Sequence, residues 1–202
     1  VLYMVRSDSV RNAKKLLERV NNIAKGACLM TDTTVSVRQI DGTSSTLSNT
    51  VLEELLQANL EFVPLPEYTE VERKLAADLF ATNPAIELPG TAPKYSAEVK
   101  RYVRQITDNG HRPLNDFVMP YVPSDDMSPG STDVGDVSWL TPTAQFTAVT
   151  CPSGTPGHSW QNVSVGKTGV AHKGMLLAGK VLAGACADLM EDPSVLERAR
   201  RE

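Results

Sequence analysis

The 202-residue sequence lacks several features that would assign it at once to a class of protein. Only 5% of its residues are aromatic, and no block of like charge stands out, which argues against a surface that binds nucleic acid. No apolar run approaches the roughly 18 residues that a membrane-spanning helix needs. With 41% hydrophobic and 22% charged residues, the composition is that of an ordinary globular protein. Neither nucleic acid nor a membrane is therefore predicted as a partner.

Cysteine is also scarce. Cys28, Cys151 and Cys186 are odd in number and far apart, and none belongs to a CxxC motif. This pattern predicts free, mostly buried thiols in a reducing compartment, the cytoplasm. The glycine-rich and GxSxG motifs of dinucleotide-binding proteins, phosphate-loop proteins and serine hydrolases are missing as well.

The periodicity of apolar residues predicts an α/β fold. Short apolar or alternating runs predict strands at residues 1–6, 33–37, 117–119 and 143–150. Apolar residues at three- and four-residue spacing predict helices at 9–29, 49–61, 68–81, 96–107 and 168–190. Proline and glycine predict loops at 82–95, through most of 108–138 and at 152–157, and Pro193 is predicted to end the last helix.

Two loops carry residues suited to chemistry. In the first, residues 129–139, glycines allow the backbone to approach a ligand, and N–H and hydroxyl groups are suited to hold a carboxylate or another anion. Asp133 and Asp136 are suited to orient a histidine or to bind a metal. A plain turn, in which the aspartates cap the following element, explains the same residues.

The second loop, residues 154–160, contains His158 directly after a predicted strand and a glycine- and proline-rich turn. Active-site residues of α/β proteins often occupy such positions, although a structural role is the alternative for a lone histidine. The other histidines are His111 and His172, and no HxxxH or HxD arrangement is present. Because a catalytic zinc needs about three protein ligands, recognisable motifs of this chain do not complete a two-metal site.

Several separated runs, taken in order, resemble one family. They are residues 1–6, 18–27 and 30–31, Asn49 with Leu52, and then residues 130–139, 154–161, 166–167 and 171–174. Together these runs are similar to the C-terminal part of the B-type subunits of p-aminobenzoyl-glutamate hydrolase, in the zinc aminoacylase and carboxypeptidase superfamily. The chain also begins at Val1, inside a predicted strand, which predicts a piece of a longer protein.

The resemblance implies a division into two parts. Residues 1–48 would be the second half of an α+β, ferredoxin-like lid or dimerisation domain. Residues 49–202 would be the C-terminal part of a zinc-peptidase-like α/β catalytic domain. Because the lid of this family commonly pairs two protomers, a homodimer through the lid is also implied.

The resemblance further implies hydrolysis of an amide bond between an acyl or aryl group and an amino acid such as glutamate. Two divalent metal ions, zinc or manganese, would activate a water molecule. His158 would be the last metal ligand, and Asp133 would be a catalytic group beside the metals and the substrate. The residues implied to bind substrate are Gly130, Ser131, Thr132 and Asn49.

One large departure from the family limits this interpretation. The family's N-terminal half, which supplies the His-x-Asp motif, the Glu-Glu pair with the general base and most metal ligands, is missing from this sequence. The isolated chain is therefore expected to be inactive. Two alternatives remain open: a non-catalytic module that binds a partner or an amino-acid-like ligand, and an oligomerisation domain built around the first helix.

Overall fold

The computed structural model describes residues 1–83, 95–124, 130 and 132–202. Within these described ranges the chain forms helices joined by irregular segments, and no β-strand is present. The α-helices are α1 Val10–Thr31, α2 Thr50–Phe62, α3 Glu70–Phe80, α4 Ala97–Ile106, α5 Val134–Ser138, α6 Trp160–Val165, α7 Gly169–Glu191 and α8 Pro193–Arg201. The predicted α/β fold class is therefore wrong for this structure.

The predicted strands fail because a strand exists only when its backbone pairs with a neighbour. Residues 1–6, 33–37, 117–119 and 143–150 are irregular, and no ladder of backbone hydrogen bonds joins them within the described parts of the chain. Side-chain alternation is nevertheless present at residues 144–147, where alternate side chains are half-buried and exposed. An alternating pattern records which side chains are covered, but it does not supply a pairing partner.

The long predicted helices are present, and side chains at their starts cap them. The Ser9 hydroxyl caps α1 by accepting a hydrogen bond from the Asn12 N–H at 3.3 Å. At the start of α3, Thr69 and Glu72 form the capping box that their spacing predicts. Such side chains satisfy backbone N–H groups that have no partner inside the helix.

Three shorter helices, α5, α6 and α8, were not predicted. Pro193 does not simply end a helix: α7 stops at Glu191, and Pro193 opens α8. Proline suits the first turn of a helix because its missing N–H would be unpaired there in any case. The Asp192 side chain completes the start of α8 by accepting a hydrogen bond from Ser194 N–H at 3.0 Å.

The chain divides into two compact units. Unit 1 comprises residues 1–48 and 125–143, and unit 2 comprises residues 49–124 and 144–202. The assignment of residues 1–48 to a lid and of 49–202 to a catalytic domain stays a prediction.

In unit 1, α5 lies against the segment before residue 48. Ser44 N–H donates to the Asp136 carboxylate at 3.0 Å, and the Trp139 indole N–H donates to the Ser45 carbonyl at 2.8 Å. Gly135 allows this approach, because a Cβ there would overlap the Ser44 carbonyl. The long helix α1 has no buried residue.

In unit 2, α7 is the central helix. Its Leu177, Val181 and Ala185 pack with Leu56 of α2 in one buried cluster. Closer to its start, Val170 belongs to a second cluster with Tyr68, Ala76, Leu79, Leu114 and Val165. Of the apolar residues that predict this helix, Val170, Leu177 and Val181 therefore face a core, whereas Met175, Leu176 and Leu182 are exposed.

The three cysteines are free, as the sequence predicts. The prediction that they are mostly buried is wrong. Cys28 and Cys151 are half-buried, and Cys186 is exposed. Among the described residues, no helix combines the length and the apolar character needed to cross a membrane.

A charged cluster joins the starts of α3 and α7. Lys173 Nζ lies 2.6 Å from Glu72 Oε2 and also donates to the Glu67 carbonyl at 2.8 Å. The Thr69 backbone N–H and hydroxyl donate to the same Glu72 oxygen at 2.7 and 2.9 Å. The hydrogen bond from Lys173, followed by that from the Thr69 backbone, lowers the pKa of Glu72 from 4.5 to about 2.

This cluster makes stability depend on pH in a defined window. Because the pKa of Glu72 is depressed on folding, its stabilising contribution is fully present above about pH 4.5 and is lost as the pH falls toward 2. We expect Glu72→Gln to be less stable than the parent at pH 7 and equally stable near pH 2. Denaturant unfolding across this pH range, with exposed Glu70→Gln as the control, measures the effect. A constant difference between Glu72→Gln and the parent over the whole range would contradict the assignment.

Candidate functional site

Asp133, in the first predicted loop, lies directly before the short helix α5. Asp133 is exposed, and its side chain does not cap α5. The Thr132 hydroxyl takes that role in part, since it accepts from Val134 N–H and donates to Asp133 Oδ1, both at 3.3 Å. Gly130 is also exposed, whereas Ser131 lies outside the described residues. Asp133 thus presents its carboxylate to solvent.

The neighbouring Asp136 behaves differently. Its carboxylate accepts the Ser44 backbone N–H and so joins α5 to the segment before residue 48 within unit 1. The structural interpretation of this loop therefore fits Asp136, which has a backbone partner. The ligand-binding interpretation fits Asp133, whose carboxylate is exposed.

His158 lies on an exposed loop directly before α6 in unit 2. Its φ of 55° is in the left-handed region, which costs a non-glycine residue roughly 1–2 kcal/mol. Ser159 steadies the junction, donating its hydroxyl to the Pro156 carbonyl at 2.7 Å and accepting from Asn162 N–H at 3.2 Å. The imidazole of His158 makes no hydrogen bond within the described structure. A strained, exposed histidine without a structural partner is suited to bind a ligand.

Asn49, predicted to bind substrate, is buried and already bonded at both ends of its side chain. Its Oδ1 accepts from Leu52 N–H at 3.1 Å and caps α2. Its Nδ2 donates to the Ala199 carbonyl in α8 at 2.8 Å. A second contact joins the same two helix ends: the Glu202 carboxylate accepts hydrogen bonds from the backbone N–H groups of Thr50, at 3.1 Å, and Val51, at 3.3 Å. Asn49 therefore joins the start of α2 to the end of α8, and its role toward a substrate stays a prediction.

The described residues do not form a complete metal site. Across the ranges that the structure describes, no three histidine, cysteine, aspartate or glutamate side chains come together as a possible metal site. His158 fits as a single ligand, but a catalytic zinc requires about three from the protein. Asn49 and His158 belong to unit 2, whereas Gly130, Thr132 and Asp133 belong to unit 1. No hydrogen bond joins Asn49 to His158 in the described part of unit 2.

A groove in unit 2 was missed by the sequence analysis. Its volume is about 710 Å³, and residues of α2 and of the segments 115–122 and 145–155 line it. The Tyr121 hydroxyl donates to the Glu53 carboxylate at 2.6 Å, and burial, with Glu53 as a further cause, raises the pKa of Tyr121. These segments are far apart in the sequence and share no motif, so no local signal could have indicated the groove. Neither Asn49 nor His158 lines it.

Comparison with known proteins gives one informative relationship. No protein-family model matches the chain, and no solved structure matches it. A curated protein, the B-type subunit of p-aminobenzoyl-glutamate hydrolase from Escherichia coli (strain K12), is 36% identical over 204 residues. That alignment covers 100% of this chain and 42% of the E. coli protein, so the chain spans less than half of its relative. The resemblance inferred from the sequence is therefore confirmed: over its whole length, this chain is homologous to the B-type subunit of p-aminobenzoyl-glutamate hydrolase.

Proposed function

We propose that this chain is part of a metal-dependent amidohydrolase that cleaves an amide between an acyl or aryl group and an amino acid such as glutamate. The observation that carries the proposal is the 36% identity, over all of the chain, to a protein named as a subunit of p-aminobenzoyl-glutamate hydrolase. Because the identity extends across both units, it supports the same function for the whole chain and not for one unit alone.

In this proposal, His158 holds one of two divalent metal ions, zinc or manganese. When bound, such ions activate a water molecule for attack on the amide carbonyl. The exposed imidazole of His158 supports this role, since the described structure uses it for nothing else. Most metal ligands would come from polypeptide outside this chain, because the described residues do not bring three ligands together.

The loop at residues 130–133 would contribute polar groups that contact the substrate. Asp133 would act beside the substrate, since its carboxylate is exposed and, among the described residues, accepts a hydrogen bond only from the adjacent Thr132 hydroxyl. Among the described residues, no heavy atom outside Gly130 itself lies within 4 Å of the position of a Cβ there, so its backbone would be open to a ligand. Ser131 and Thr132 would add hydroxyl groups to this surface.

The same proposal includes the assembly of the protein and its location in the cell. The E. coli relative is named as one subunit of its enzyme, which supports assembly with a further polypeptide. We propose a homodimer through residues 1–48 and a location in the cytoplasm, where the three thiols would stay reduced.

A chimaeric enzyme tests the catalytic proposal. These 202 residues would replace the matching region of the E. coli hydrolase, and p-aminobenzoate release from p-aminobenzoyl-glutamate would be measured. We expect turnover that a chelator abolishes, and no turnover by the isolated chain. In the chimaera, His158→Ala should reduce kcat/KM at least tenfold through loss of a metal ligand. Exposed His111→Ala is the matched control.

Two results would overturn this proposal. One is a folded chimaera without activity beside an active E. coli parent, and the other is full activity in the His158→Ala chimaera. Chelator-sensitive turnover by the isolated chain would overturn the narrower expectation that the chain needs further polypeptide.

A non-catalytic ligand-binding or oligomerisation module is the second candidate. The observation that favours it is the lack of any three-ligand group in the described ranges. An inactive chimaera, together with calorimetric binding of p-aminobenzoyl-glutamate to the isolated chain, would support this candidate over the first.

A further inference from the structure

The dipeptide Asp41–Gly42 lies in the irregular segment between α1 and α2, and both of its residues are exposed. The Gly42 backbone N–H donates a hydrogen bond to Oδ1 of the preceding Asp41 at 2.7 Å. Among the described residues, this N–H has no backbone acceptor, and the Asp41 carboxylate has no further hydrogen-bond or ion-pair partner. The backbone nitrogen and the side-chain carboxyl group therefore face each other without a competing partner.

This contact places the Gly42 nitrogen close to the carboxyl carbon of Asp41. Since a C–O bond is about 1.2 Å long, a nitrogen 2.7 Å from Oδ1 lies within about 4 Å of Cγ. Atoms in a near-attack arrangement are roughly 3–3.5 Å apart, so only a small movement is needed for the two atoms to react. Glycine adds no Cβ beside the nitrogen, and a Cβ at this position would meet only Gln39 Nε2, at 3.7 Å, among the described atoms beyond its chain neighbours.

We propose that Asp41 is a site of spontaneous modification, at which aspartate isomerises to isoaspartate. The Gly42 nitrogen attacks Cγ of the protonated carboxyl group, and a new N–Cγ bond closes a five-membered succinimide ring. The carboxyl hydroxyl group and the proton of the nitrogen leave together as water. A second water molecule then opens the ring: cleavage of the bond from the nitrogen to the Asp41 main-chain carbonyl carbon gives isoaspartate, and cleavage of the new N–Cγ bond restores aspartate.

The dipeptide Asn109–Gly110 can close the same ring with loss of ammonia, but the folded chain holds it differently. The Gly110 N–H donates to the carbonyl of the buried Thr107 at 3.0 Å, in the turn that follows α4. No hydrogen bond joins this N–H to the Asn109 side chain within the described structure. The turn must therefore open before the nitrogen can attack. We infer that folding slows ring closure at Asn109 but leaves it unhindered at Asp41.

The modification would lie beside contacts that organise unit 1. Isoaspartate carries the main chain through Cγ, which adds one carbon to the backbone three residues before Ser44. The Ser44 N–H donates to Asp136 and the Ser45 carbonyl accepts from Trp139, so the added carbon lies next to the segment that contacts α5. This inference concerns the covalent chemistry of the chain and does not depend on amidohydrolase activity.

Comparison of the folded and the unfolded chain tests the proposal. The 202-residue chain would be incubated at one mildly acidic pH, with and without concentrated urea. Isoaspartate would then be labelled by an isoaspartate-specific methyltransferase and located by peptide mass spectrometry. We expect the ratio of the folded rate to the urea rate to be at least tenfold higher at Asp41 than at Asn109. Equal ratios, or no isoaspartate at residue 41 of the folded chain, would overturn the proposal.

Matched variants identify the reacting groups. Gly42→Ala should slow the modification at least tenfold, because a Cβ beside the nitrogen hinders its attack. Asp41→Glu should abolish it, since a glutamate side chain would have to close a larger ring. Asp32, which is exposed and precedes Thr33, is the internal control and should react at least tenfold more slowly than Asp41. Circular dichroism would confirm that the variants stay folded, and an undiminished rate in Gly42→Ala would overturn the proposal.

Discussion

Replacement of Gly174 by alanine is expected to lower the free energy of unfolding of unit 2 by about 3 kcal/mol. Gly174 lies in the buried face of α7, against the segment 144–150. A Cβ at this position would overlap the carbonyl oxygen of Val149 and press on the Thr150 side chain. Because the obstacle is backbone, the clash is relieved only if the helix and the segment separate, which opens the packing of the core. Urea denaturation followed by circular dichroism measures the change.

Gly179 is the matched control for this prediction. It lies in the same helix and is exposed, and no described heavy atom beyond its chain neighbours and the backbone of α7 lies within 4 Å of the position of a Cβ there. Gly179→Ala should therefore stabilise the chain by roughly 0.5–1 kcal/mol, the usual gain when alanine replaces glycine inside a helix. The two substitutions are expected to act in opposite directions. Equal effects of both would show that α7 does not approach Val149 as the structure describes.

Replacement of Asn49 by alanine is expected to cost about 2 kcal/mol of stability. The loss combines an N-cap, typically about 1 kcal/mol, with a buried hydrogen bond to Ala199, also about 1 kcal/mol. Both bonds come from one buried side chain, so a single substitution releases the start of α2 and the end of α8 together. Thermal and urea denaturation of the variant give the magnitude.

Asn49→Ser separates the two contributions. Serine keeps a side-chain oxygen that caps α2 but has no amide donor for the Ala199 carbonyl, so its effect should be smaller than that of alanine. If Asn49 acted only on a substrate, alanine would leave the stability unchanged and would affect only ligand binding or the activity of the chimaera.

Sequence reasoning located the long helices because helix formation depends on residues three and four positions apart. The stripes of α1, α2, α3, α4 and α7 and the capping pair Thr69–Glu72 are all contained in short windows. The short helices α5 and α6 have one to two turns and do not present a periodic stripe. Their position depends on contacts such as Ser44 with Asp136, which are 92 residues apart. In α8, Val195 and Ala199 are four positions apart and buried, but Pro193 was interpreted as the end of a helix.

The candidate site likewise has some features that the sequence predicts and others that only the folded chain shows. His158 was found from its loop and from the family resemblance, but its left-handed backbone and free imidazole are properties of the folded chain. The Tyr121–Glu53 contact was missed because it joins residues 68 positions apart. Asn49 was singled out as a substrate group, although its burial and its bond to Ala199 assign it a structural position.

By itself, the sequence determined the main helices and the relationship to p-aminobenzoyl-glutamate hydrolase, because both depend on the order of residues along the chain. Only the tertiary structure decided that the alternating segments remain unpaired, that Asn49 joins α2 to α8, and that α7 exposes a second apolar face. The reason is that strand pairing, reciprocal capping and the covering of a surface each require a partner group distant in the sequence. Local patterns indicate the need for such a partner but do not identify it.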